Sequence, residues 1–156
     1  MNVLTPVALY LGRRKWLPKA IKYVAGLDRL VQGATRSRVT LTGIGGLPGL
    51  LLTVRGRKTG VVRTTPLLYV PYEGSYLVAG SNFGGPKPPA WALNLEAASE
   101  AEVQVRGKRQ RVVPRRAVGE ERERLWQVML PIYPNYEKYA ERSDREIPVF
   151  VLTPTR

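Results

Sequence analysis

Two hydrophobic periods divide the chain. Within residues 1–37, Leu17, Ile21, Val24 and Val31 recur at steps of 4, 3 and 7, which places them on one face of a helix, while Lys15, Lys19, Lys22 and Arg29 fall elsewhere around it. Trp16 and Tyr23 are interfacial residue types. Such a basic amphipathic helix either packs its apolar side on a domain and leaves its cations in water, or lies in the headgroup region of an anionic leaflet. From Val39 the period shortens to that of strands. Val39-Thr40-Leu41-Thr42 alternates, residues 43–49 read as a loop, and residues 50–54 are an apolar run of strand length. Residues 55–60 form a basic turn and 61–70 the returning strand, so the two strands make a hairpin.

The alternation continues in short pieces. Tyr72-Glu73-Gly74 is a turn leading into a strand over 76–80. Pro88-Pro89 opens a short helix through Trp91, Leu93, Asn94 and Leu95, since proline is at home in a first helical turn. Strands over 103–106 and 109–113 flank a Gly107-Lys108 turn. Helix resumes at Glu120 with acids in its first turn, where the helix dipole favours them, and Leu125, Val128, Met129 and Ile132 form its expected buried stripe. Residues 133–142 are helical or turn-like, and 147–152 form a closing strand. No repeat, low-complexity tract or linker interrupts this order. The pattern predicts an α+β domain over 38–156, a small barrel of about six mostly antiparallel strands with inserted helices, preceded by the helical segment 1–37.

Composition narrows the chemistry. The 156 residues, 44% of them hydrophobic, are enough for one domain with a real core. Cysteine and histidine are both absent, which excludes a disulfide framework, a Cys- or His-ligated metal centre, a thiol nucleophile and a Ser-His-Asp site. No metal site is expected. Chemistry must run on Tyr, Ser/Thr, Lys/Arg, carboxylates and backbone amides, or on a borrowed cofactor. The formal charge of +13 is lopsided: through Arg63 there are twelve basic residues against Asp28 alone, and beyond it thirteen basic against eleven acidic. An anionic partner therefore meets the first part of the chain. The apolar stretch at 3–11 precedes the Arg13-Arg14-Lys15 cluster, the reverse of a secretory signal, and no apolar run reaches spanning length. These features predict a cytoplasmic protein that can rest on the inner face of the membrane.

Several segments are candidates for a site, each with an ordinary alternative. Residues 43–49 fail as a dinucleotide fingerprint because Pro48 stands where glycine is needed and no βαβ unit follows, and 56–60 fail as a phosphate-binding P-loop. The basic turn still gathers Arg57, Lys58 and Thr59 with Arg63, Thr64 and Thr65 just beyond, which makes it either an anion site or a solvated hairpin tip. Ser81-Asn82-Phe83-Gly84-Gly85-Pro86 follows a strand and lets backbone approach a flat ligand, or is a plain loop. Trp91 and Asn94 are neighbours on a helix. Tyr133, Tyr136 and Tyr139 recur every third residue, as core packing or as hydrogen-bond and proton donors in a chain without histidine.

The order of these segments is more specific than any one of them. Arg57-Lys58-Thr59-Gly60-x-x-Arg63-Thr64-Thr65-Pro66-Leu67, then Ala79-Gly80-Ser81-Asn82-Phe83-Gly84-Gly85, Pro89-Ala90-Trp91-Ala92-Leu93-Asn94-Leu95, Tyr133-Pro134-Asn135-Tyr136-Glu137-Lys138-Tyr139 and Asp144-Arg145-x-Ile147-Pro148-Val149 resemble the deazaflavin (F420)-dependent nitroreductase and quinone reductase family of actinobacteria. The likeness runs from about Leu50 onward. It implies a split β-barrel that binds coenzyme F420, a deazaflavin with a phospholactyl-oligoglutamate tail. By that resemblance Arg57, Lys58, Thr59 and Arg63 hold the tail, with Thr64, Thr65, Pro66, Leu67 and Leu68 along the same edge. Ala79, Gly80, Ser81 and Asn82, with Ala90, Trp91, Ala92, Leu93 and Asn94, line the ring. Tyr136 faces ring and substrate beside Tyr133 and Tyr139, and Tyr136, Tyr133 and Ser81 are the implied catalytic groups. Asn82-Phe83 replaces a Lys-Gly pair of nitroimidazole-reducing relatives, and Ala92 stands where an aromatic is frequent, so the acceptor is where this chain departs from them.

The resulting expectation is a reductase that passes hydride from reduced F420 (F420H2) to a quinone of the menaquinone kind or to a nitroaromatic. A non-catalytic carrier of deazaflavin or fatty acid on the same barrel is the alternative. Nucleic acid is not an expected partner, because the basic stretches lack interleaved aromatics and any nucleic-acid signature.

Overall fold

The computed structural model describes residues 47–156, so the helix expected over 1–37 and the strand over 39–42 lie outside the described residues. Seven strands and three helices follow in the order β1 (Gly49–Arg55), β2 (Val62–Leu68), β3 (Val70–Tyr72), β4 (Ser75–Ala79), α1 (Ala90–Ala97), β5 (Ala101–Val105), β6 (Lys108–Ala117), α2 (Gly119–Met129), α3 (Asn135–Arg142) and β7 (Val149–Pro154). A single 3-10 turn, Asn82–Gly84, lies between β4 and α1. The strands make one sheet, β2-β1-β5-β6-β7-β4-β3, with every neighbouring pair antiparallel.

That order dictates the shape. β2 and β3 occupy opposite ends of the sheet, yet only Tyr69 separates them in the chain. Six interstrand gaps of about 4.8 Å would hold the edges of a flat sheet about 29 Å apart. One intervening residue spans at most about 7 Å. The sheet therefore curls until its two edges meet at Tyr69, whose amide donates to the Pro48 carbonyl (3.1 Å). This corner also explains the strand count: the single strand expected over 61–70 is broken at Tyr69 into β2 and β3, giving seven strands rather than about six.

A curled sheet buries both faces, and β7 shows the consequence in sequence as an unbroken apolar run. Phe150 and Leu152 pack with Leu50, Leu52, Val54, Val78 and Val112 beside Ala92 and Leu95 of α1. Val149 and Val151 join Leu77, Ala79 and Ala117 with Leu125, Trp126 and Met129 of α2 and with Tyr136 and Tyr139 of α3.

Three boundaries differ from the pattern-based reading, each for a local reason. Leu125 and Met129 are buried and Val128 is half-buried, but α2 ends at Met129, so Ile132 falls in the next turn at 42% exposure. The turn of α2 before Trp126 is filled instead by Arg122, only 7% exposed. Its guanidinium lies 4.4 Å over the Trp126 ring and donates to the Ile147 carbonyl from Nη2 (2.8 Å) and Nε (3.3 Å). The β5–β6 turn is Arg106-Gly107, with φ of 51° and 81°, because a tight hairpin wants positive φ at both central residues. Lys108 consequently opens β6. β7 starts at Val149 rather than 147, since the Ile147 carbonyl is held by Arg122 and the Pro148 carbonyl accepts from the Gly80 amide (2.9 Å).

Candidate active site

The β1–β2 register ends at Arg55 opposite Val62, leaving residues 56–61 as the hairpin tip. The tip is tightly cross-bonded. Gly56 N–H donates to Val61 O (2.8 Å), Gly60 N–H to Gly56 O (2.9 Å), Val61 N–H to Thr59 Oγ1 (3.2 Å), and Arg55 Nη1 to Gly60 O (3.0 Å). A Cβ on Gly56 would fall 2.8 Å from Thr59 Oγ1 and 3.2 Å from Val61 O, so a larger residue there would displace the Thr59 hydroxyl from the turn. Arg57, Lys58 and Thr59 are exposed on this frame. Arg57 is also anchored, since its backbone N–H (3.1 Å) and its Nη1 (3.0 Å) both donate to Oδ1 of Asn94 on α1. Asn94 is only 7% exposed. Its oxygen fixes the tip, a contact that the spacing of Trp91 and Asn94 gives no hint of.

Strand alternation divides the residues expected along β2. Arg63, Thr65 and Leu67 pair with Val54, Leu52 and Leu50 and share their face, whereas Thr64, Pro66 and Leu68 pair with Thr53, Leu51 and Gly49 on the other. Thr64 Oγ1 lies 2.8 Å from Thr53 Oγ1, a hydrogen bond between the hydroxyls. The six residues are therefore two walls of one edge strand, and Arg63 is the exposed cation among them.

Beyond β4 the chain enters the loop over 80–87. A Cβ on Gly80 would lie 2.9 Å from Pro148 Cγ and 3.0 Å from Ala92 Cβ, so glycine is what lets β4, α1 and the entry to β7 meet. Ser81 is right-handed helical, Asn82 and Phe83 follow with φ of 44° and 55°, and Gly84 with 79°. The Gly84 and Gly85 amides donate back to Ser81 O and Asn82 O, both at 2.9 Å. Gly84 sits directly on α3, where a Cβ would come 2.6 Å from Tyr139 O, and the Phe83 ring meets Tyr139 edge-on at 5.6 Å. On α1, Ala92 is buried, Trp91 and Leu93 are half-buried and Ala90 is exposed, with the Trp91 ring 6.2 Å from Phe150.

Tyr133 precedes α3, and Tyr136 and Tyr139 belong to it, yet the three rings converge. Tyr136 lies 5.0 Å from Tyr133 and 5.6 Å from Trp126, and the Tyr133 and Tyr139 hydroxyls are 3.0 Å apart. The cluster is closed rather than an open wall: Tyr136 is 4% exposed and Tyr133 and Tyr139 are buried as well. Burial, and secondarily the neighbouring Tyr133, raises the Tyr136 and Tyr139 phenols above the ordinary tyrosine range. They stay protonated at neutral pH and act as donors, not bases.

The expected site residues thus form one continuous series of contacts. Arg57 and Asn94 join the tip to α1, Ala92 and Gly80 join α1 to the loop, and Gly84 and Tyr139 join the loop to the tyrosines. The cations of the tip lie at one end of the series and the phenols, with Arg142 5.9 Å over the Tyr139 ring, at the other.

Comparison with known proteins gives this arrangement a family. The family model described as F420H(2)-dependent quinone reductase matches residues 29–154. An F420H(2)-dependent quinone reductase of Mycobacterium tuberculosis is 35% identical over 144 residues, covering 89% of this chain and 96% of the relative. Among solved structures, an F420-H2 dependent reductase (FDR-A) superposes with a TM-score of 0.62 at 38% identity, over 67% of this chain and 93% of that one. A structure described as a domain-swapped dimer superposes with a TM-score of 0.65 at 33% identity, over 88% and 96%. The half-closed antiparallel barrel is accordingly a split β-barrel, and by the extent of these matches the chain belongs to the F420H(2)-dependent quinone reductase family.

Proposed function

We propose that this chain is an oxidoreductase that reduces a quinone with hydride from reduced coenzyme F420. The observation that carries the reading is the contact series from an exposed cationic hairpin tip, through Asn94 and Gly80, to a buried phenol cluster. The residues fit an elongated ligand with a flat head and an acidic tail: Lys58, Arg63 and the anchored Arg57 offer charge at one end, and the exposed Ala90 stands beside the half-buried Trp91 further along. When bound, reduced F420 supplies the two-electron hydride that no side chain here can provide.

The protein's part is placement and proton supply. Arg57, Lys58, Thr59 and Arg63 hold the tail, while Ser81, Asn82 and the α1 face orient the ring. Tyr136 donates a proton to the acceptor oxygen that gains charge on reduction, assisted by the Ser81 hydroxyl, and solvent restores it. Because Tyr136 is 4% exposed, contact with an acceptor needs some displacement of Tyr133 or Trp126. Flat nitroaromatics meet the same requirements. The basic, aromatic pattern of residues 1–37 would bring the site to a membrane quinone. Among the described residues no helix is long and apolar enough to cross a membrane.

Mixing the protein with reduced F420 and menadione, and following the return of the oxidised cofactor's absorbance, tests the activity. Binding without reoxidation above background would identify a carrier instead. Arg63→Ala should chiefly weaken cofactor affinity, and wild-type affinity would contradict the tail assignment. Tyr136→Phe should lower kcat or shift acceptor preference with cofactor affinity kept; unchanged kinetics would remove Tyr136 from the mechanism.

A further inference from the structure

Arg145 belongs to the segment between α3 and β7 and touches no residue of the tip. Its guanidinium reaches across the fold to the loop over 80–87, donating from Nε to the Gly85 carbonyl (3.2 Å) and from Nη2 to the carbonyls of Gly80 (3.2 Å), Ser81 (3.1 Å) and Lys87 (3.2 Å). Asn82 Nδ2 meets the same Lys87 oxygen at 2.9 Å. Among the described residues no carboxylate lies within ion-pair distance of Arg145. A guanidinium whose Nε and Nη2 donate to four carbonyls of one loop fixes where those carbonyls converge, while its buried Nη1 has no hydrogen-bond partner among the described residues.

The loop needs such a template. Asn82 and Phe83 are both left-handed, a conformation that Asn tolerates but that disfavours a bulky residue such as Phe. The step from right-handed Ser81 to left-handed Asn82 turns successive amides toward one concave side and their carbonyls to the other. The amides of Ser81, Asn82 and Phe83 have no backbone acceptor among the described residues.

We propose that Arg145 is a positioning residue: by gathering the carbonyls of residues 80, 81, 85 and 87 behind the loop, it aims the amides of residues 81–83 at the deazaflavin ring without touching the ring itself. This rests on the reading of the loop as the ring's seat. It assigns a role to the Asp144-Arg145 motif, which the sequence marks but does not explain.

The test compares Arg145→Ala, Arg145→Lys and Arg63→Ala by quenching of deazaflavin fluorescence, using F420 and a tail-less deazaflavin. Arg145→Ala should weaken both ligands by a similar factor, about 10- to 100-fold. Arg63→Ala should weaken only the tailed one. Millimolar free guanidinium should restore Arg145→Ala but not Arg63→Ala, and Arg145→Lys, which keeps the charge without the fork, should recover only part of the loss. In the ligand-free protein, amide exchange at 81–85 should quicken in Arg145→Ala while exchange in β7 is kept. Wild-type affinity of Arg145→Ala for the tail-less ligand overturns the proposal, as does a loss that guanidinium leaves untouched. If Arg145→Ala does not fold, full affinity of Arg145→Lys for that ligand has the same force. Failure of the wild-type protein to bind either ligand would instead overturn the cofactor reading itself.

Discussion

Replacing Asn94 by alanine removes the oxygen that accepts both the backbone amide (3.1 Å) and the Nη1 (3.0 Å) of Arg57. A part-buried amide left without its partner costs about 1–3 kcal/mol, and water at the exposed tip keeps the loss near 1–2. In a chain of this length that lowers Tm by roughly 2–8 °C. Asn94→Asp is the informative companion, because it keeps the acceptor and should hold Arg57 and the fold in place. It also sets a negative charge beneath the tip. If an acidic tail lies about 5 Å from that charge, the repulsion is about 1–3 kcal/mol for an effective dielectric between 80 and 20, or roughly 4- to 150-fold in affinity. Urea denaturation should find Asn94→Asp close to wild type and Asn94→Ala destabilised. Calorimetric titration with F420 should find Asn94→Asp weak at low salt and partly recovered at high salt, where screening shortens the repulsion. Unaltered affinity of Asn94→Asp at low salt would refute the placement of the tail at the hairpin tip.

Other perturbations probe the frame. Gly84→Ala combines a left-handed φ of 79° with a Cβ 2.6 Å from a backbone oxygen of α3, and should lose about 2–4 kcal/mol in urea. Gly60→Ala, at φ 72° in open space, should lose only about 1–2 kcal/mol, and equal losses would deny the close packing of loop on helix. The raised Tyr136 and Tyr139 phenols hold their protons when the unfolded chain releases them near pH 10, so their contribution to stability is complete below that pH and declines as pH rises above it. Ultraviolet titration should show tyrosines that ionise late, together with unfolding, and ionisation of all tyrosines near pH 10 in the folded protein would contradict their burial.

Much of the architecture is legible in the chain because strands and turns are local. The apolar run of β1, the basic turn and the acids opening α2 each follow from neighbouring residues, and all are observed. Where a distant partner decides, the pattern is silent. Tyr69 is indistinguishable from a strand residue until the two sheet edges meet there, and nothing near Arg122 announces that the Ile147 carbonyl will hold its guanidinium. The motif order names segments that the fold brings into succession, tip to helix to loop to tyrosines. It leaves out how they are held: the oxygen of Asn94 turned to Arg57 and the guanidinium of Arg145 turned to four carbonyls are contacts across 37 residues in the first case and 58 to 65 in the second.

The place of β7 bears on how this molecule comes into being. It follows the other six strands in sequence but lies between β6 and β4, so the sheet stays in two unjoined parts until β7 has left the ribosome. During that interval β4 and β6 present open rims to anything nearby, the circumstance in which nascent chains aggregate or recruit chaperones. The same insertion brings Pro148 to Gly80. A polypeptide that stops short of β7 therefore lacks the contact that ties the end of β4 to this segment.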